Sequence, residues 1–193
     1  MRLLYTQGTL AEAGHKIIVR AIGINNTTLT EEDAEFEKTF PEVKEIIDKV
    51  FLTALTVKEY EAARLGDIIW VETSGGKLIA NCIVFDEHDD LNYSAAKKAF
   101  EVVRERALSI EQQVVSTNLF AGVPIGKESK SYARMRWQNV KNMLELIFED
   151  MQVIVFIPDQ QDLVEILDTL GDYRKIYDMP EIRFRRLGNK SDK

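Results

Sequence analysis

The chain has a single cysteine, Cys82, so no internal disulfide framework is open to it, which fits a reducing compartment. Histidine is nearly as scarce. His15 and His88 are the only two, they stand far apart, and neither belongs to a cluster of the about four good ligands that zinc needs. No metal and no cofactor is expected. No apolar run approaches the ~20 residues needed to cross a bilayer. The opening MRLLYTQGTL has no basic stretch followed by a long apolar one, so no secretory signal is read there. The expectation is a cytoplasmic protein with no membrane partner. Positive charge is the minority sign: 25 Lys and Arg against 32 Asp and Glu give a formal net charge of −7. An acidic surface repels phosphate backbones and anionic lipid, which argues against nucleic acid as the partner. One local exception is the C-terminal stretch with Arg174, Lys175, Arg183, Arg185 and Arg186. Two hydrolase signatures are also missing. AGVPIGKES lacks the spacing of a Walker motif, and no serine sits in a G-x-S-x-G elbow.

What is present suits one folded core. The 193 residues are 45% hydrophobic and 30% charged, ordinary values for a globular domain of this length. MRLLYTQG reads as a strand ending at Gly8. HKIIVRAIGI, rich in β-branched residues, reads as a strand buried on both faces. Thr30 followed by Glu31, Glu32 and Asp33 reads as a helix start, with acids in the first turn. Pro41 opens a second helix with Val43, Ile46, Ile47 and Val50 inward. DIIWVET and KLIANCIVF are strands joined by a turn at Ser74, Gly75 and Gly76. YSAAKKAFEVVRERAL is helical, EQQVVSTNLF a strand, YARMRWQNVKNMLELIFED a second amphipathic helix and QVIVFI an apolar strand. Pro158 and Asp159 open a last helix. Alternating strands and helices in the second half imply parallel pairing with right-handed crossovers. The expected fold class is α/β: three layers, α/β/α, around a mixed and mostly parallel sheet. Residues 1–172 form the domain, and residues 173–193 form a basic extension with a short edge strand, EIRFRR, and a frayed end.

In an open parallel sheet, ligands bind beyond the carboxyl ends of the strands. Two loops lie at such ends, residues 23–30 and residues 121–131. The second holds Gly122, Pro124, Gly126, Ser129 and Ser131. Its glycines let a backbone approach a diphosphate and aim amides at it, with Lys127 and Lys130 adding positive charge. The same residues suit an ordinary surface turn. The first loop offers Asn25, Asn26, Thr27 and Thr28, which hydrogen-bond a ribose or base and are equally common at turns and helix entries. The acidic loop from Asp86 to Asn92 includes His88 and Asp89. It leaves the IANCIVF strand where a carboxylate could serve as general acid or base, or simply face solvent. Trp137 begins the apolar stripe of its helix, which favours core packing over a stacking role. Trp70 and Tyr93 are read the same way. Cys82, inside an apolar strand, reads as a small buried hydrophobe.

The order of these segments resembles the macro domain family, over most of residues 1–157. MRLLYTQGTL is similar to the opening strand and adenine-side loop, and IIVRAIG to the strand before the catalytic loop. FEKTFPEVKEII resembles the helix that follows, and LGDIIWVETSGGKLIANCIVF the family's hairpin. NYSAAKKAFEVV resembles the next helix, and VVSTNLFAGVPIG with MRWQNVKNMLELIF the phosphate loop and its Trp-led helix. The resemblance implies a three-layer fold that binds ADP-ribose, in a family where some members remove ADP-ribose from proteins or nucleic acid and some act on its phosphates. By position, Thr9 and Leu10 would touch the adenine side and Ile18 would lie near the base. Gly23 to Thr27 would face the distal ribose. Gly122, Val123, Pro124, Ile125 and Gly126 would cradle the phosphates.

Three departures stand out. Where the family places an acid after the first-loop glycine, Gly8 is followed by Thr9. Where it places an asparagine at the end of the second strand, this chain has Gly23. The glycine-rich stretch beyond is replaced by NNTTLTEEDAEF. A retained scaffold with a rewritten pocket is therefore expected: binding of ADP-ribose or a related nucleotide-diphosphate ligand, with weak or no hydrolysis. Whether the protein is an enzyme stays open at this point. If water is activated, Asn25, Asn26 and Asp86 are the candidates to orient it. The alternatives are a non-catalytic scaffold for a protein partner, with RKIYDMPEIRFRR as its docking element, and an ADP-ribosyl or ADP-ribose-phosphate hydrolase.

Overall fold

A strand with no exposed residue, Ile17–Gly23, runs through the centre of the molecule. The computed structural model describes residues 2–26, 30–56, 64–118, 120 and 130–170. In chain order the elements are β1 (Arg2–Gln7), a short 3-10 turn (Leu10–Glu12), β2 (Ile17–Gly23), α1 (Glu31–Thr39), α2 (Pro41–Thr56), β3 (Ile68–Glu72), β4 (Leu78–Phe85), α3 (Tyr93–Ser109), β5 (Val114–Thr117), α4 (Lys130–Ile147), β6 (Gln152–Ile157) and α5 (Gln160–Leu170). The sheet has six strands in the order β1-β6-β5-β2-β4-β3. All neighbours are parallel except the β3–β4 hairpin.

The local signals are met by local chemistry. Thr30 caps α1 by accepting from the Asp33 N–H at 3.1 Å. Asn92 caps α3 by accepting from Ala95 N–H at 2.9 Å. Asp159 caps α5 by accepting from the N–H groups of Gln161 and Asp162 at 2.7 and 3.0 Å. Such caps satisfy backbone donors that the first helical turn leaves without partners. The β3–β4 turn closes with Gly76 at φ +77, a conformation that suits glycine.

Alternation along the strands divides the core between two layers. Ile17, Val19 and Ala21 pack with α3, α4 and α5, around Phe100, Val140, Leu144, Phe148 and Leu163. Ile18 and Ile22 pack on the other face with Phe36 of α1 and with Val43 and Ile47 of α2. Both faces of the sheet are thus covered, as a mostly parallel sheet requires. Trp137 lies in the first of these cores, Trp70 and Tyr93 pack against it, and Cys82 is fully buried there.

One element is shorter than the sequence pattern predicts. Residues 111–120 read as a strand, yet β5 spans only Val114–Thr117. Glu111 at φ +56 and Phe120 at φ +50 adopt left-handed backbone, which a strand does not accommodate. Glu111 belongs to the exit turn of α3, where its N–H donates to Leu108 O at 3.1 Å. Residues 173–193, and with them the basic extension, lie outside the described residues. Among the described residues no helix is long and apolar enough to cross a membrane.

Candidate functional site

The short β5 shapes the carboxyl edge of the sheet. Thr117, its last residue, pairs with Val19 on one side and Val155 on the other. From that level β2 continues to Gly23 and β6 to Ile157. A notch is left between β2 and β6, floored by Thr117 and Asn118. The same point is the topological switch of the fold. After β2 the chain turns to α1 in one layer, and after β5 it turns to α4 in the other. Adjacent parallel strands whose exits diverge in this way leave the crevice where open α/β sheets bind ligands.

Three chain segments meet at the notch, leaving β1, β2 and β5. Gly8, which follows β1, is held to the end of β6 by donating its N–H to Ile157 O at 3.0 Å. Thr9 N–H donates to Glu12 Oε2 at 2.6 Å. Leu10 N–H donates to Glu32 Oε1, on the first turn of α1, at 3.0 Å. The other oxygen of Glu32 accepts from Asn118 Nδ2 at 3.3 Å, and Asn118 Oδ1 accepts from Phe120 N–H at 3.1 Å. One carboxylate thus spans from the β1 loop to the β5 loop. Burial raises the Glu32 carboxyl above its usual range, against the opposing pull of the Leu10 and Asn118 hydrogen bonds.

Beside it, Arg20 of β2 is 2% exposed. Its Nη2 donates to Glu37 Oε1 at 3.1 Å and to Asp33 Oδ1 at 3.4 Å, and its guanidinium lies 4.9 Å from the Phe36 ring centre. Nε and Nη1 are buried without a hydrogen-bond partner. Burial raises the Asp33 carboxyl, and Arg20 opposes that rise. The side-chain oxygen of Gln7, the last residue of β1, is likewise buried without a partner.

The residues singled out from sequence fall into several groups. Thr9 and Leu10 follow the carboxyl end of β1 and Gly23 ends β2, on either side of β6 and β5. Leu10 contributes its N–H, because its side chain is buried in the α1/α2 layer. Ile18 is wholly buried in that layer and shows no surface. Asn25 and Asn26 serve as ties. Asn25 Nδ2 donates to Glu87 O at 3.2 Å, joining the β2 and β4 exits. Asn26 Nδ2 donates to Asp48 Oδ1 of α2 at 2.8 Å. Burial alone would raise the Asp48 carboxyl, yet Lys44 and Asn26 hold it below the usual range. Asp86 Oδ1 accepts the N–H groups of His88 and Asp90 at 2.8 and 3.0 Å, closing its own loop. His15 Nδ1 lies 3.0 Å from Ser116 Oγ, with its pKa lowered by burial and by Lys77. Thr27, Gly122, Val123, Pro124, Ile125 and Gly126 lie outside the described residues. Among the described residues no group of three or more His, Cys, Asp and Glu is placed to hold a metal.

Sequence reasoning missed Glu32, Asn118 and Arg20. Glu32 looked like one of three acids in a helix first turn, and Asn118 like the interior of a strand. Arg20 did leave a signal, a lone charge in the apolar run IIVRAIG.

The chain's structure is similar to those of macrodomains. Against the macrodomain of Mycobacterium tuberculosis DarG the TM-score is 0.62 at 15% identity, covering 81% of this chain and 98% of that one. Against the macrodomain of Thermus aquaticus DarG the values are 0.60, 15%, 81% and 98%. Against a mutant of the Oceanobacillus iheyensis macrodomain they are 0.64, 12%, 86% and 89%. No family model and no curated protein sequence matches the chain. At these identities the likeness establishes a macrodomain-like fold, the architecture that the order of sequence segments implied.

Proposed function

We propose that the notch binds ADP-ribose or a related nucleotide-diphosphate ligand and turns it over weakly or not at all. The observation that carries this reading is the place of the notch: in a macrodomain-like sheet it falls at the topological switch point, where short β5 stops at Thr117 while β2 and β6 run on. In this reading the base end lies toward Thr9 and Leu10, the distal ribose toward Gly23 to Thr27, and the diphosphate at Gly122 to Gly126. The weak turnover in this reading draws on how the candidate water-orienting groups are held. Asn25 and Asn26 give their Nδ2 donors to Glu87 O and to Asp48 of α2, and Asp86 gives Oδ1 to its own loop, contacts that aim these side chains at the protein.

The test is calorimetric titration of the folded protein with ADP-ribose, alongside Gly122→Trp. Saturable heat in the wild type, lost in the variant, supports the reading. No heat from folded protein at millimolar ADP-ribose overturns it and favours the second reading, a scaffold for a protein partner. That second reading draws on the ties just described, which occupy several side chains a ligand would use.

A further inference from the structure

We infer that Glu32 is an internal occupant of the notch, holding two amide donors that an incoming ligand must take from it. The inference rests on the reading of the notch as a nucleotide-type site. It starts from the unusual reach of one side chain. Glu32 leaves α1, the Leu10 N–H follows β1 and Asn118 follows β5, so a single carboxylate ties all three segments around the crevice. The helix does not need this contact, because Thr30 caps α1 separately. Asn118 is oriented for it: with its Oδ1 taken by Phe120 N–H, the NH2 group is the end left to face Glu32.

The Leu10 N–H and its neighbour at Thr9 open a 3-10 turn, where backbone donors have no partner inside the turn. Both are already filled by carboxylates, Glu32 and Glu12. A ligand acceptor approaching this end meets negative charge in place of free donors. It gains the Leu10 and Asn118 donors only when Glu32 swings out to solvent. The exchange is within reach of a ligand because the occupant is held in a setting that disfavours its charge: burial opposes the carboxylate, and Asp33 adds to that opposition while Arg20 relieves it. Ligand binding and Glu32 release are then two sides of one equilibrium, and removal of the occupant lifts a cost from every ligand that uses those donors.

The experiment compares ADP-ribose affinity of the wild type, Glu32→Ala and Glu31→Ala by calorimetry, with thermal melts to show that each is folded. Alanine suits a helix first turn, and Glu31 is an exposed neighbour of the same charge. The expected result is that Glu32→Ala binds roughly tenfold tighter, the worth of about one hydrogen bond to a charged group that no longer has to be broken, while Glu31→Ala changes little. Binding by Glu32→Ala beside a wild type silent at millimolar ADP-ribose supports the occupant role and overturns the ligand reading for the wild-type chain. If the wild type binds and Glu32→Ala binds equally or more weakly, the occupant role is wrong and the ligand reading stands. If Glu31→Ala tightens binding as much, the effect is bulk charge and the occupant role is again wrong. If no variant binds, the ligand reading itself fails. Should Glu32→Ala not fold, Glu32→Gln serves in its place. It keeps the side-chain volume, removes the charge, and is expected to move affinity in the same direction by a smaller factor.

Discussion

Replacing Arg20 by methionine tests whether the charged cluster under α1 is energetically coupled. The guanidinium is 2% exposed, and the side chains of Asp33 and Glu37 are 13% and 15% exposed, so solvent screens these pairs little. Methionine fills much of the same space, but it leaves two carboxylates facing an apolar wall of Ile18, Ile22 and Phe36. Removing one partner of a buried ion pair costs about 3–5 kcal/mol. The lower end applies, about 3 kcal/mol, because burial of the arginine itself is imperfectly compensated, with two donors unpartnered. For a domain of this length that lowers the melting temperature by roughly 6–12 °C, at about 2–4 °C per kcal/mol. Urea denaturation followed by tryptophan fluorescence gives the free energy directly. The pH dependence gives a second handle. Asp33 already has a folded-state pKa above its unfolded value, and loss of Arg20 raises it further. A carboxyl raised in this way costs nothing below the ordinary aspartate range, and its cost grows as pH rises through the window up to the folded value. The difference between variant and wild type should therefore shrink on acidification. A loss below about 1 kcal/mol, the value of an exposed pair, or a difference that widens in acid, refutes the account.

Two further outcomes follow from the core of the α3/α4/α5 layer. Phe100 is fully buried, stacked on Phe120 at 5.0 Å and edge-on to Phe148 at 6.0 Å between ring centres. Phe100→Ala should cost about 3–5 kcal/mol in urea denaturation, and a loss under about 1.5 kcal/mol would mean that the site collapses around the deletion. Cys82 is fully buried, and burial pushes its thiol far above the ordinary range. Native protein should not react with a thiol reagent at mildly alkaline pH, whereas unfolded protein should react at once, with the native rate following the opening of the fold. Fast native labelling contradicts the buried placement.

Much of this molecule is written in local pattern. The residue order IIVRAIG marks a doubly covered strand by its lack of polar alternation. Thr30, Pro41 and Asp159 mark helix starts because a cap or a first-turn proline satisfies or avoids backbone donors within a few residues. The hairpin at Ser74–Gly76 is also local. With alternating strands and helices, these signals lead to a three-layer, mostly parallel fold and to the carboxyl edge as the place for a ligand. By contrast, the length of β5, the notch it leaves and the Glu32 bridge between two loops depend on partners distant in sequence. Glu32 meets Leu10 across 22 positions and Asn118 across 86. No periodicity carries such a pairing, because it exists only once the sheet has set β1, β6, β5 and β2 in order. The same holds for Asn25, Asn26 and Asp86, whose residue types fit a reactive loop equally well. Only the packed chain decided that their polar atoms tie loops together, since a side-chain amide or carboxylate bonds whichever complementary group the fold brings within about 3 Å.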